Sequence, residues 1–185
     1  TDAFDYLKEI RNSSYRLNEH IRNTPNIVKT LEEYTKANVG KARPKGVGGL
    51  FKYEEVDKID EKFKILFYYL KEWLGKEGSA KRTDVSILVP CKSDIELIKD
   101  FLNSKNIRTE TISTNKMKAK REAITISTVE DFKGLDCPII CVWGLNKVNN
   151  FQNLVQYVYK AFSRANHTLL FIATKEESIK MKQLY

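Results

Sequence analysis

Short and nearly uninterrupted apolar runs limit what this chain can fold into. The clearest are DVSILVP at 84–90, PIICVW at 138–143 and TLLFIAT at 168–174. Apolar runs of this length, separated by segments of helical periodicity, are typical of strands in a parallel sheet. The sequence therefore predicts an α/β fold, in which a mostly parallel sheet carries helices on both faces.

The remaining elements follow from periodicity and from helix-start signals. Pro25 stands at the start of one predicted helix, and Ser93 is the expected N-cap of another. The glycines of GVGG at 46–49 lack the Gly-Lys-Ser/Thr ending of a phosphate-binding loop, so we interpret them as a turn. The predicted helices span 25–36, 60–74, 94–103 and 151–162, and the further predicted strands span 50–53, 106–112 and a segment that ends at about 127.

The length of 185 residues fits one structural domain with its own core. Within it we distinguish a lead-in segment at 1–24, a main body at 25–175 and a helical tail at 176–185. The chain starts at Thr1 rather than Met, so we expect it to belong to a longer protein. No stretch approaches the roughly 18 apolar residues that a membrane helix needs, and we expect no membrane partner.

Charge and cysteine usage indicate the class of partner and the compartment. The net charge of +8 and the pI near 9.3 favour polyanions such as nucleic acid, because Lys and Arg neutralise phosphates. The cysteines Cys91, Cys137 and Cys141 lack metal-ligand spacing. We therefore expect reduced thiols in an intracellular protein, cytoplasmic or nuclear, with no metal site. Cys141 lies in an apolar run and is expected to pack.

Charged residues stand at the boundaries of several predicted elements. YKAFSRA at 159–165 places Arg164 where a helix ends and a buried strand begins. LNEHIRNT at 17–24 places Arg22 just ahead of a helix, and STVEDFKGLD at 127–136 joins two strands. A guanidinium is charged at every relevant pH and carries five donors, so close to a core it needs an anion, either a carboxylate or a phosphate.

Together these patterns resemble the second RecA-like domain of superfamily 1 helicases of the UvrD type. The motifs of that family read approximately Leu-x-x-Asn-Tyr-Arg-Ser for motif IV, Thr-x-His-x-x-Lys-Gly-Leu-Glu for motif V and Tyr-Val-Ala-x-Thr-Arg-Ala for motif VI. The resemblance covers Leu17 to about Ala173 and implies a three-layer RecA-like domain of the P-loop NTPase type. The matching residues are Leu17, Arg22 and Asn23; Thr128, Lys133, Gly134, Leu135 and Asp136; and Tyr159, Ala161, Ser163, Arg164 and Ala165.

The resemblance implies that this chain is half of a motor that uses ATP. Arg164 and Arg22 would face the γ-phosphate of ATP, which the first RecA-like domain of the same protein would hold together with Mg²⁺. Gly134 would let its amide approach a phosphate, with Lys133 beside it. Asp136 would accept from a ribose hydroxyl or hold an arginine in place. The chain has no Gly-x-x-x-x-Gly-Lys-Ser/Thr motif, so we expect no ATP hydrolysis from it alone.

The nucleic-acid contacts implied by the resemblance are Thr128, Glu130 and the basic segment with Lys116 and Lys118, on single-stranded DNA or RNA. Glu130 departs from the family, which commonly has histidine there, and this anion puts conventional strand contact in doubt. The span from Ile112 to Ile124 is also too short for the accessory domain of the larger helicases. A catalytically inactive helicase-like module that binds nucleic acid or protein is the alternative function.

Plainer interpretations of the same residues stay open. Arg164 would then be a helix C-terminal cation bonded to carbonyls and a carboxylate. Lys133 and Gly134 would form only a turn, Asp136 would be a cap, and Arg22 would be a solvated residue. The segment NKMKAKRE at 115–122 would be a solvated loop, and Tyr159 is expected to pack in either case.

Overall fold

The computed structural model describes residues 19–20, 23–36, 41–42, 49–112, 122–145, 148 and 151–182, without the side chains of 19–20, 41–42 and 151–152. The predicted site residues Arg22, Lys116 and Lys118 lie outside these ranges. The described strands are β1 (Glu19–His20), β2 (Lys41–Ala42), β3 (Leu50–Val56), β4 (Val85–Val89), β5 (Thr109–Thr111), β6 (Ile124–Thr128), β7 (Cys137–Val142) and β8 (Ala165–Thr174). The described helices are α1 (Pro25–Thr35), α2 (Ile59–Leu74), α3 (Lys92–Ser104), α4 (Phe151–Phe162) and α5 (Lys175–Lys182).

Six of these strands form one wholly parallel sheet in the order β3-β8-β7-β4-β6-β5, while β1 and β2 form a separate parallel pair. The inner strands are the apolar runs of the sequence, and every residue of β4 is buried. This burial follows from parallel pairing, because the crossover helices cover both faces of such a sheet. The prediction of an α/β domain with a parallel sheet between two helical layers is confirmed.

The helices pack in two layers because alternate residues of each strand point to opposite faces. On one face, α1 and α4 cover side chains such as Ile140 and Val142 of β7, and Met181 of α5 joins the same cluster. On the other face, α2 and α3 cover Ile139 and Cys141 of the same strand. No described helix is both long and apolar enough to cross a membrane.

Element boundaries differ from the predictions where local hydrogen bonds end a helix or extend a strand. Helix α3 begins at Lys92 with Cys91 at its N-cap position, so the prediction of Ser93 as N-cap is wrong. Asn106 has a left-handed φ of 57° and the Ile107 amide bonds back to the Leu102 carbonyl, so β5 starts only at Thr109. The edge strand β3 is longer than predicted, because it pairs with β8 along its whole length.

Candidate functional site

The amino ends of β7 and β8 bring Asp136 and Arg164 to the same edge of the sheet. Cys137 of β7 pairs with Ala165 of β8, and the two predicted site residues directly precede these partners. The Cys137 amide donates to the Arg164 carbonyl at 3.1 Å. Parallel strands start at one common edge, so this pairing joins segments that are far apart in sequence. We call this edge, with its flanking loops, the amino edge.

The guanidinium of Arg164 is held by main-chain carbonyls. Its Nε donates to the Lys160 carbonyl at 3.1 Å, in the last turn of α4, and its Nη1 donates to the Leu135 carbonyl at 3.4 Å. The residue is half-buried, and no carboxylate among the described residues lies within 4.0 Å of it. Carbonyls fix the orientation of a guanidinium without neutralising its charge. The geometry therefore leaves a positioned positive charge at the amino edge.

Asn23 connects the first sequence motif to this arginine. Its side chain is 3% exposed, and its Nδ2 donates to the carbonyls of Ser163 at 2.9 Å and Ala165 at 2.8 Å. These two carbonyls flank Arg164 in the chain. The segment that precedes α1 is thus tied to the turn that carries Arg164, across a separation of 140 residues or more.

The loop before β7 exposes the remaining predicted residues of this edge. Gly134 has a φ of +87°, and an added Cβ would meet nothing within 4 Å, so the glycine is required for its backbone conformation and lies open to approach. Lys133 and Asp136 are exposed. Asp136 accepts a hydrogen bond from the Asn166 side chain at 2.9 Å. The segment around Lys133 is a series of turns rather than a helix.

Thr128 lies at the opposite, carboxyl ends of the strands, where β6 pairs with the end of β4. Its Oγ1 donates to the Asp131 carboxylate at 2.9 Å and accepts from the Asp131 amide at 3.1 Å. Glu130 forms an ion pair with Lys160 at 2.7 Å, with the Glu130 side chain largely exposed and the Lys160 side chain partly exposed. These contacts give Thr128 and Glu130 local roles in the turn and its attachment to α4.

A buried ion pair at the carboxyl ends of β7 and β8 was not predicted. Lys62 Nζ of α2 donates to Glu177 Oε2 at 2.9 Å, and their side chains are 2% and 3% exposed. Glu177 also accepts from the amides of Leu145 and Thr174, each at 2.7 Å. Gly144 has a φ of +77°, and a Cβ there would collide with both charged groups. Both oxygens of the Glu177 carboxylate are hydrogen-bonded and one of them also pairs with Lys62, so we assign the pair a structural role.

A signal for this pair was present in the sequence. Thr174 and Glu177 form a capping box at the start of α5, since the Glu177 amide also donates to Thr174 Oγ1 at 3.3 Å. Lys62 stands four residues before the buried Leu66, on the apolar stripe of α2. Burial of a lysine on such a stripe calls for a carboxylate partner.

Two expectations about single side chains have different outcomes. Cys141 is fully buried, so the prediction of a packed thiol is confirmed; this burial raises the pKa of the thiol to about 12, although the nearby Lys62 acts to lower it. Tyr159 is 40% exposed, and the expectation that it packs is wrong, because it lies on the outer side of α4.

Within the described ranges, no group of three or more His, Cys, Asp or Glu side chains is arranged to hold a metal ion.

Solved structures with a similar fold include helicase and ATPase parts. The crystal structure of the C-terminal domain of a possible DNA helicase from Lactobacillus plantarum WCFS1 matches with a TM-score of 0.68 and 14% identity, covering 90% of this chain and 95% of that chain. The C-terminal part of the Fun30 ATPase domain matches with a TM-score of 0.46 and 12% identity, covering 66% of this chain and 44% of that one. No family model and no curated protein matches the sequence.

The first of these likenesses concerns nearly the whole of both chains. At 14% identity it is a likeness of fold. The chain thus has the RecA-like architecture expected from its sequence and shares it with the C-terminal domain of that possible helicase.

Proposed function

We propose that this chain is the second RecA-like domain of an ATP-dependent superfamily 1 helicase or translocase of the UvrD type. The single observation that carries the proposal is Arg164, a half-buried guanidinium fixed by two carbonyls with no described carboxylate beside it. A cation held this way is suited to receive an anion that another domain delivers. The fold likeness to the C-terminal domain of a possible helicase supports the coarser part of this proposal, a helicase C-terminal domain.

The residues of the amino edge fit the triphosphate of ATP. When bound with Mg²⁺ on the first RecA-like domain, ATP supplies the phosphoryl group that is transferred to water. Arg164 stabilises negative charge on that group, because its fork of donors matches phosphate oxygens and cannot lose its proton. Arg22 directly precedes Asn23, whose side chain bonds on both sides of Arg164, and we propose it as the second arginine.

We propose that the loop before β7 helps to bind the nucleotide. Gly134 presents its backbone without a side chain in the way, so its amide can lie close to a phosphate oxygen. Lys133 adds an exposed positive charge, and Asp136 accepts from a ribose hydroxyl or orients an arginine. Nucleotide binding would close the two domains and hydrolysis would reopen them, which moves the bound strand.

Single-stranded DNA or RNA is the proposed nucleic-acid partner, in an intracellular protein of the cytoplasm or nucleus. The net charge of +8 supports this class of partner. Thr128 and Glu130 would lie along the strand path, together with Lys116 and Lys118 of the basic segment. Their contacts would be with the sugar-phosphate backbone and would carry no sequence preference.

The test is ATP hydrolysis by the full-length protein with Arg164→Ala and Arg164→Lys. We expect both variants to lose about 10³-fold in kcat, since a lysine cannot reproduce the two-pronged contact. Arg108→Ala is the matched control, because Arg108 is an exposed arginine before β5 and should leave the rate unchanged. Hydrolysis within twofold of the wild-type rate in Arg164→Ala, with an unchanged melting temperature, would refute the proposal.

One observation favours the alternative, a helicase-like module that binds without turnover. Glu130 lies two residues after Thr128, at the position where the family that this chain resembles commonly has histidine. Its carboxylate stays at the surface, in an ion pair with Lys160. An anion there opposes the approach of a phosphate backbone. Absence of nucleic-acid-stimulated ATP hydrolysis in the wild-type protein, combined with measurable strand binding, would select this alternative.

A further inference from the structure

A concave surface lies at the C-terminal end of α2, on the sheet face opposite to the helix α4 that precedes Arg164. Its floor is apolar and is formed by Phe67, Leu70, Leu74, Ala80 and Ile107. The volume of about 400 Å³ falls within the range of about 300–1,000 Å³ that is usual for ligand sites. We call it the α2 groove. It is large enough for one or two apolar side chains of a partner.

The rim of the α2 groove carries positive charge. Lys71 and Arg82 line it, and Lys105 stands over Phe67 with its Nζ 5.8 Å from the ring centre. In the part of the chain that is described, no carboxylate comes within 4.0 Å of any of these three cationic groups. Some lysines elsewhere do have such a partner, since Lys99 lies 3.3 Å from Glu96, whereas others such as Lys64 have none among the described residues. The rim therefore has unused positive charge around an apolar floor.

The aromatic ring in the α2 groove is not open for a nucleobase to stack on. Phe67 is the groove's aromatic residue, and ammonium groups already cover its ring: Lys71 Nζ lies 5.1 Å and Lys105 Nζ 5.8 Å from the ring centre. A base needs an open aromatic face to stack on. The aliphatic floor instead suits leucine or phenylalanine side chains, and the rim suits carboxylates that flank them.

We propose that the α2 groove is a docking site for an acidic amphipathic segment of a partner protein. One or two apolar side chains of that segment fill the floor, and neighbouring Asp or Glu side chains pair with Lys71, Arg82 and Lys105. This is the helix-in-groove form of recognition, with electrostatic complementarity at the rim. The proposal does not depend on ATP use by the chain.

The test uses a fluorescein-labelled peptide of twelve residues, with leucine at helical spacing and glutamate at the other positions. We expect the peptide to raise the fluorescence anisotropy saturably. A peptide with lysine in place of every glutamate, and an unstructured oligothymidine of twelve nucleotides, are the comparisons. In the wild-type protein, amide NMR shifts upon addition of the acidic peptide should concentrate at Leu70, Leu74, Ala80 and Ile107.

Charge reversal at the rim locates the site. The double variant Lys71→Glu with Lys105→Glu should weaken the binding of the acidic peptide at least about tenfold, because like charges then face each other. Lys64→Glu is the matched control, as Lys64 is an exposed lysine of the same helix outside the groove, and it should bind as the wild type does. The proposal is overturned if the lysine peptide binds equally well, if the shifts fall elsewhere, or if the oligothymidine displaces the acidic peptide.

Discussion

Lys62 and Arg164 lie at opposite ends of the neighbouring strands β7 and β8, and they differ in whether a carboxylate neutralises their charge. Lys62 is buried with Glu177, whose carboxylate also accepts two backbone amides. Arg164 is half-buried and bonds only to neutral carbonyls within the described residues. A buried charge without a counter-charge is too costly to keep, whereas a charge with access to water can remain uncompensated. The comparison separates a charge that stabilises the fold from one that is available to a ligand.

The largest expected effect comes from breaking the buried pair. Glu177→Ala leaves Lys62 as an uncompensated buried charge and should lower the free energy of unfolding by about 3–5 kcal/mol in urea titrations. Glu176→Ala, at the exposed neighbouring position, should change it by less than about 0.5 kcal/mol. The double variant Lys62→Met with Glu177→Gln should recover much of the loss, because it removes the charge and keeps an acceptor for the amides. A loss below about 1 kcal/mol in Glu177→Ala would show that the pair is not structural.

The next effect concerns pH and the thiol beside that pair. The pKa of Cys141 is raised by burial from 9.0 to about 12, so the folded state keeps its proton where the unfolded state loses it. Its contribution to stability is therefore complete below pH 9 and declines as the pH rises towards 12. Between pH 9 and about 12, the free energy of unfolding of the wild type should fall by roughly 1 kcal/mol more per pH unit than that of Cys141→Ala, in urea titrations with a reductant. Equal pH dependence in the two proteins would mean that water reaches this side of the sheet.

The smallest expected effect is on the stability of the Arg164 region. Arg164→Ala removes one hydrogen bond to a carbonyl at the end of α4 and one to the Leu135 carbonyl in the loop before β7, both at a partly solvated site. It should lower the free energy of unfolding by no more than about 1 kcal/mol. The comparison with Glu177→Ala is made in the same urea titration. A loss as large as that of Glu177→Ala would assign Arg164 to the scaffold and remove the reason for its proposed role with ATP.

Elements whose sequence signals lie within the element itself were predicted well, and elements that depend on distant contacts were predicted less well. Helix α4 was predicted with its observed bounds, Phe151–Phe162, because its apolar periodicity and the following Ser163-Arg164 turn are both local signals. Strand β5 was predicted too long, since the hydrogen bond from Ile107 to Leu102 that closes α3 has no distinct signature in the sequence. The Asp136 and Arg164 positions were identified from motif order, but their adjacency depends on the pairing of β7 with β8.

By itself, the sequence determined the layered α/β architecture and the placement of charged residues at element ends. Both can be predicted from the hydrophobic periodicity and the composition of short segments, because these local properties favour a helix or a strand without contacts from the rest of the chain. The tertiary structure decided which charges are neutralised, since Lys62 meets Glu177 across 115 residues and Asn23 reaches the carbonyls beside Arg164 across 140 or more. These long-range contacts depend on the order of the strands in the sheet. That order results from the packing of the whole chain rather than from any one segment.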